Sequence, residues 1–452
     1  MERWAEGMKK HTADRRFLSH PGHPGHLNKL CLLPPLNCRQ IVPGRVLSLL
    51  LLGLIFAALT RSSPAAATDE RDFRLGVEVL RQSHAHLVRG KKAALLVGNP
   101  SYDQAGRHTI ESLSTLCEIT AVFTGDPWQR PVNAGPNGLS HDFACPAPLI
   151  EIIDPLKRPS PADIQPAELL IIDIPDIGIR YFQYVTLLAQ FLDLARAANL
   201  PVLVLDRPNP ISAECVSGPV LNVDFRSRFG VYPIPLVYGM TMGELALFFN
   251  KTFGIGARLT VVGMEGYHRA MRFSEAGLHW FPPSDHLPEA GSPAYYAVTG
   301  FLGEMGVFST GVGTPRPFHY VLAPWINGTT LADRLNRYDF PGIRFRPIFQ
   351  KPFYGLYQGK RVPGVELMIS DPSGYDPVAV GIGILKVLYE IAPDRIPLEN
   401  PTVAEGLDTL LGGDRVRNAL INGVPLMQIV NEWQPKLREF RQTRRQFLLY
   451  PE

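Results

Sequence analysis

Two carboxylates and a guanidinium, Asp173, Asp176 and Arg180, fall within eight residues of the segment DIPDIGIRYFQY, and Tyr184 closes it behind a Pro-Gly turn. Carboxylates grouped with a guanidinium can hydrogen-bond sugar hydroxyls or clamp a ligand carboxylate. The same residues can equally satisfy one another, with Asp176 capping the next helix and Arg180 neutralising Asp173. Further along, DRPNP offers Arg207 and Asn209 from a backbone bent by two prolines, either as donors to ligand oxygens or as a rigid turn whose Asn satisfies itself. Two Gly/Pro-controlled loops, PPSDHLP (282–288) and FLGEMGVFSTGVGTPRPF (301–318), carry Asp285, His286, Glu304 and Arg316, and polar loops of this kind can close over a crevice. Glu304 sits in a mostly apolar stretch. Buried, it would titrate high and suit a general acid; solvated, it is an ordinary loop carboxylate. The histidines show no HExxH spacing or compact ligand grouping, and no GxSxG elbow is present, which argues against a metal site or a serine hydrolase.

These residues need elements to hold them. AALLVGNP (93–100), EITAVFTGDP (118–127), LLIIDIPDIG (169–178) and PVLVLDRPNP (201–210) read as buried strands with polar ends, and residues 181–200 have the period and length of a helix. Strand, helix, strand in that order means a parallel sheet. In such sheets the residues just past the carboxyl ends of the strands face the ligand crevice, which nominates Asn99, Asp126, Asp173, Asp176, Arg207 and Asn209 together. No GxGxxG opens a helix after the first strand and no GxxxxGK[ST] occurs, so the sheet is Rossmann-like without the usual nucleotide signatures. After a helix at 242–254, LTVVGM (259–264) opens a region of long Gly/Pro/aromatic loops. The expected organisation is an α/β protein with a Rossmann-like domain over 72–255 and a smaller α/β domain over 256–452. A strand at 364–371 and a helix at 378–392 belong to the second.

The chain has 452 residues, 45% hydrophobic and 19% charged, with 40 Gly and 42 Pro that follow no period, as a loop-rich globular protein requires. Its net charge of +3 comes from the first 67 residues, which hold nine Lys/Arg and three Asp/Glu; the remainder has 36 against 39. A slightly acidic body without a basic stripe argues against nucleic acid as a partner. Residues 46–60 are apolar and uncharged, Arg45 precedes them and three alanines at 65–67 suit signal peptidase. This predicts a leader over 1–67 and export to the periplasm or exterior, with a membrane anchor through 46–60 as the alternative. Residues 1–41 do not resemble a charged n-region, so translation is expected to start near residue 42 or 46. Beyond the leader, Cys117, Cys145 and Cys215 are odd in number and dispersed, which fits either buried thiols or one bridge and a free thiol.

Taken in order, these segments resemble the exo-β-N-acetylmuramidases of peptidoglycan turnover, the NamZ family. The resemblance is carried by GVEVL (76–80), GKKAALLVGNPS (90–101), DIPDIGIRYFQY (173–184), VLDRPNPI (204–211), GPVL (218–221), FGVYPIPLVYGMTMGELALFFN (229–250), MEGY (264–267), PPS (282–284), GTPRPF (313–318) and APWI (323–326). It implies a cleft between a Rossmann-like and a smaller α/β domain that removes terminal N-acetylmuramic acid from peptidoglycan fragments or related amino-sugar glycans without a cofactor. Tyr238, within the sixth of these segments, joins Asn99, Asp173, Asp176, Arg180, Tyr184, Arg207, Asn209, Asp285, His286 and Arg316 as the implied substrate-binding set. Glycosidic cleavage needs a carboxylic acid to protonate the leaving oxygen and usually a second carboxylate as base or nucleophile, and Asp126 and Glu304 are the implied catalytic pair.

The sequence departs from the family's pattern at that pair. TGDPW stands where the family carries Gly-Pro-Glu-His-Gly, with Asp126 in the glutamate position and Pro127 in the histidine position. Aspartate retracts the carboxylate by about one carbon–carbon bond, and a misplacement of about 1 Å can cost about a hundredfold in rate. Glu304-Met305-Gly306-Val307 replaces Glu-Gly-Thr-Asn, and Asp285-His286 follows PPS where the family has Pro-Asn. Three readings follow: a divergent hydrolase with a rebuilt site, a glycan-binding descendant without turnover, and a hydrolase of altered sugar specificity.

Overall fold

The structure is a computed structural model that describes residues 73–125, 147–152 and 158–451. The leader with its apolar run 46–60, Asp126, Pro127 and Cys145 lie outside the described residues. No helix among the described residues is long and apolar enough to cross a membrane.

The first region follows the expected pattern. Helix α1 (Gly76–Ser83) precedes β1 (Lys92–Val97), then come α2 (Thr109–Ser114), β2 (Glu118–Thr124), β3 (Leu149–Glu151), β4 (Leu169–Asp173), α3 (Tyr184–Ala197) and β5 (Pro201–Leu205). A short antiparallel pair, β6 (Ser217–Val220) and β7 (Pro235–Val237), leads to α4 (Met242–Thr252) and β8 (Arg258–Val262). The sheet runs β3-β2-β1-β4-β5-β8 with every pairing parallel. Its strand order reverses between β1 and β4, where α/β sheets open a ligand crevice. The expected α/β, Rossmann-like sheet is therefore what the chain forms.

Strand residues alternate between two cores, as a sheet covered on both faces requires. Ala94, Leu96, Leu170, Ile172, Val202 and Val204 pack into the cluster that contains α3 and α4, whereas Ala93, Leu95, Val97, Leu169, Ile171, Leu203 and Leu205 pack with α1 and α2. The 259–264 segment, expected to open the second region, instead pairs with β5 as the edge strand β8. Its alternating burial satisfies the sheet, and the change of loop composition that follows it does not mark a break in the hydrogen bonding.

Beyond it come α5 (Ser292–Gly303), β9 (Tyr320–Leu322), α6 (Gly328–Asn336), β10 (Ile343–Gln350), β11 (Val362–Ile369), α7 (Pro377–Ile391), α8 (Pro401–Leu411), α9 (Arg415–Ile421) and α10 (Leu426–Arg444). Strands β10, β11 and β9 form a separate antiparallel sheet. The expected strand at 364–371 is β11, and the expected helix at 378–392 is α7, begun by Pro377 and capped by Asp376, whose carboxylate accepts from the Ala379 N–H at 3.0 Å.

Candidate functional site

The carboxyl ends of β1, β4 and β5 gather most of the nominated polar residues, but they bury them. Asp173, the last residue of β4, is fully buried and paired with Arg207 across the sheet. Arg207 Nη2 donates to Asp173 Oδ2 at 2.9 Å, Nη1 donates to the Tyr102 carbonyl at 2.9 Å, and Thr109 Oγ1 also donates to the same carboxylate. Ser101 ties the β1 end to β4, donating to the Asp173 carbonyl at 2.6 Å. Asn99 is buried beside them.

Asp173 is thus neutralised by Arg207 and not by Arg180. Arg180 is wholly buried and spends its guanidinium on the carbonyls of Pro219, Ile234 and Leu410, at 3.0, 2.8 and 2.9 Å. Burial pulls it down to about 9. It is unavailable as a ligand clamp because the next element after β4 turns it into the protein. Asn209 likewise resolves to the self-satisfied turn: Nδ2 donates to the Met240 carbonyl at 3.0 Å and Oδ1 accepts from the Ile211 N–H at 3.1 Å.

Asp176 is buried among apolar groups, and burial pushes its carboxyl up to about 7. Oδ2 accepts from the Gly178 N–H at 2.7 Å and from the Tyr238 hydroxyl, while Oδ1 has no hydrogen-bond partner among the described residues. It caps a two-residue turn and no helix. Gly178 sits at φ +81 against the Asn209 amide, which a side chain would strike. Tyr238 is buried, and its phenol is raised well above its ordinary range by that burial and by the Asp176 charge.

Asp206 and its partners carry no signal in the spacing of the sequence. This buried carboxylate accepts from Thr241 Oγ1 at 2.7 Å, the Gly243 N–H at 2.8 Å and the Tyr450 hydroxyl at 2.6 Å, and burial raises it to about 6. Next to it Glu244 closes the capping box of α4 with Thr241 and pairs with Arg269 at 2.5 Å. Beside Arg207 and Asp176 a small cavity of about 40 Å³ is walled by Tyr102, Phe273, Trp280 and Phe281, with the Tyr102 and Phe281 rings stacked at 4.0 Å.

A second cluster forms around residues 181–184. Gln183 donates to the Gly125 carbonyl at 2.6 Å, which fixes the end of β2 immediately before Asp126. The Tyr184 side chain lies against Gly98, where a Cβ would stand 2.3 Å from its hydroxyl oxygen. Tyr181 donates to the Tyr296 carbonyl at 3.0 Å, and the two rings meet edge to face at 5.3 Å. Glu304 follows the end of α5, is exposed, and places its charge close enough to both phenols to help burial raise them. Its surroundings are those of a solvated carboxylate at the lip of this cluster. Tyr181 and Tyr296 were missed in the sequence because only the fold brings α5 to the β4–α3 turn.

Asp285 is exposed; His286 is half-buried and lowered by that burial. Arg316 is held at the surface by the buried Glu366 carboxylate at 2.8 Å, which also takes Arg346. Cys117 and Cys215 are free thiols, pushed by burial up to about 11 and about 12.

A doubly wound parallel sheet with its polar residues at the strand ends, followed by a smaller antiparallel sheet with helices, defines an α/β protein. Two family models account for nearly all of the described chain: exo-β-N-acetylmuramidase NamZ, N-terminal, over residues 93–291, and its C-terminal counterpart over 294–450. The chain belongs to the NamZ family. It is 30% identical over 417 residues to the peptidoglycan β-N-acetylmuramidase NamZ of Bacillus subtilis strain 168, covering 91% of this chain and all of the relative. A DUF1343 family protein of Bacteroides fragilis shares its structure with a TM-score of 0.77 at 28% identity, covering 84% of this chain and 99% of the other. A second such protein from the same organism shares the fold at a TM-score of 0.66 and 24% identity, over the same shares of the two chains.

Proposed function

We propose that the protein is an exported glycoside hydrolase that removes terminal N-acetylmuramic acid from peptidoglycan fragments, with Asp126 and Glu304 as its carboxylate pair. The observation that carries this reading is the cluster around residues 181–184, where Gln183 holds Gly125 at the end of β2 and the Glu304 charge is close enough to help raise the Tyr181 phenol. Glycosidic cleavage requires one carboxylic acid to protonate the leaving oxygen and a second carboxylate as base or nucleophile. Family membership and the relative's activity support the same substrate.

Residues 1–67 are the proposed leader, and the division into two domains, placed between 72–255 and 256–452 by composition, is proposed to fall beyond β8, which pairs with β5. The experiment is release of free N-acetylmuramic acid from muropeptides by the protein beside its Asp126→Asn and Glu304→Gln variants. Loss of at least about a hundredfold in kcat for each variant, with the folded state intact, is the expected result. Saturable binding of the same muropeptide without release, in the parent protein, would replace the hydrolase by a glycan-binding relative.

A further inference from the structure

Between β10 and β11 the chain turns through residues 351–361, and this loop shows its rings to solvent: Phe353 is 71% exposed and Tyr354 47%. It carries Lys351, Lys360 and Arg361 and neither Asp nor Glu. None of these three cations has an ion-pair partner among the described residues, and Arg361 lies over the ring of the equally exposed Phe349, 4.6 Å from its centre. Exposed apolar groups rimmed by charge mark surfaces that bind something.

The exposure is built in, because the loop is anchored at both shoulders. The Phe353 N–H donates to the Gly313 carbonyl at 2.7 Å, and the Gly359 N–H closes the loop on the Pro352 carbonyl at 2.8 Å. Gly313 has φ +88, and a Cβ there would stand 2.0 Å from the Tyr354 carbonyl oxygen, so only glycine lets the two loops meet. The Tyr357 hydroxyl donates to the Val307 carbonyl at 3.0 Å, and the Tyr354 ring lies nearly parallel to the His286 imidazole at 6.1 Å. The loop therefore touches both segments of the proposed site: 301–318, which carries Glu304 and Arg316, and 282–288, which carries Asp285 and His286.

We propose that residues 351–361 form a glycan-binding platform outside the crevice, which holds the stretch of an anionic amino-sugar chain beyond the terminal residue. This rests on the hydrolase reading for the identity of the chain. Phe353 and Tyr354 offer flat apolar faces to the C–H faces of sugar rings, and Lys351, Lys360 and Arg361 meet the carboxylates that muramic acid residues and stem peptides carry. Continuity with the loops of the proposed site favours a glycan over a lipid surface, since a chain leaving the crevice past Glu304 and His286 passes onto this loop.

The test compares disaccharide and hexasaccharide peptidoglycan fragments as ligands of the full chain, its Phe353→Ala/Tyr354→Ala variant and its Lys360→Gln/Arg361→Gln variant. The parent is expected to have the lower KM for the hexasaccharide. The aromatic variant raises that KM about tenfold, the charge variant raises it less, and kcat and the disaccharide KM stay within about twofold. Where the protein turns nothing over, the same pattern is read in calorimetric affinities: the platform then stands and the hydrolase reading falls. Equal affinity for both lengths in the parent, or equal losses for both in the aromatic variant, overturns the platform. So does flotation on phosphatidylglycerol vesicles that Phe353→Ala/Tyr354→Ala abolishes and hexasaccharide fails to compete, which would make the loop a membrane contact.

Discussion

The carboxyl edge of the six-stranded sheet and the rim built by residues 282–318 and 351–361 use charge in opposite ways. At the sheet edge Asp173, Asp206, Glu244, Arg207 and Arg269 are buried and bonded to one another, to hydroxyls or to the backbone. Along the rim Glu304, Asp285, Arg316 and the cations of the hairpin loop face water. A buried charge can lose a partner only at great cost, whereas an exposed one exchanges its partner for solvent or ligand cheaply. The edge is a frame, and the rim is the part free to meet a substrate. Polar residues past strand ends are thus not all ligands, even where the fold rule correctly brings them to one edge.

The contrast can be broken by removing one arginine from each side. Arg269→Ala leaves Glu244 charged and buried, with the Ala213 and Gly239 carbonyls also losing a donor, and should cost about 3–5 kcal/mol in urea unfolding. A loss under about 1 kcal/mol would mean that the edge is not the frame described. Acidification tests the edge next. Asp176 and Asp206 titrate higher folded, at about 7 and about 6, than in the unfolded chain near 4. Between those values the folded state keeps protons that the unfolded state releases, so this stability is fully present below about pH 4 and is lost as pH rises from there through 6 and 7. The slope is up to about 1.4 kcal/mol per pH unit for each carboxyl. Comparing parent and Asp176→Asn at pH 5 and 7.5 should show the variant losing less stability over that interval; identical losses would remove Asp176 from the account. On the rim, Arg316→Ala should cost under about 1 kcal/mol, because the half-exposed side chain leaves Glu366 still paired with Arg346.

Much of the frame could be read from residue order, because each strand is a short apolar run with a polar end and each helix follows at the spacing a parallel sheet needs. The parallel sheet, the strand-end edge, α3 and α7 all follow from that. Pairings across the sheet could not be read. Asp173 has Arg180 seven residues away and Arg207 thirty-four away, and proximity along the chain favours the wrong partner; the turn at Gly178 sends Arg180 inward while β5 returns Arg207 to the β4 end. The Tyr181–Tyr296–Glu304 cluster joins segments more than a hundred residues apart, so no local pattern announces it. The hairpin loop 351–361 is illegible for a different reason: its aromatics and cations look like ordinary loop residues until the structure shows them fixed and uncovered beside two other loops.

The bond between Asp206 and Tyr450 spans 244 residues. During synthesis the β5 end emerges long before the phenol that completes its carboxylate, and Arg269 waits similarly for Pro451, whose carbonyl accepts its backbone N–H at 2.9 Å. The edge that frames the crevice is therefore among the last parts of the molecule to be sealed. Its assembly has the character of a clasp fastened after the garment is on, and a chain released early would carry a formed sheet with an unfastened edge.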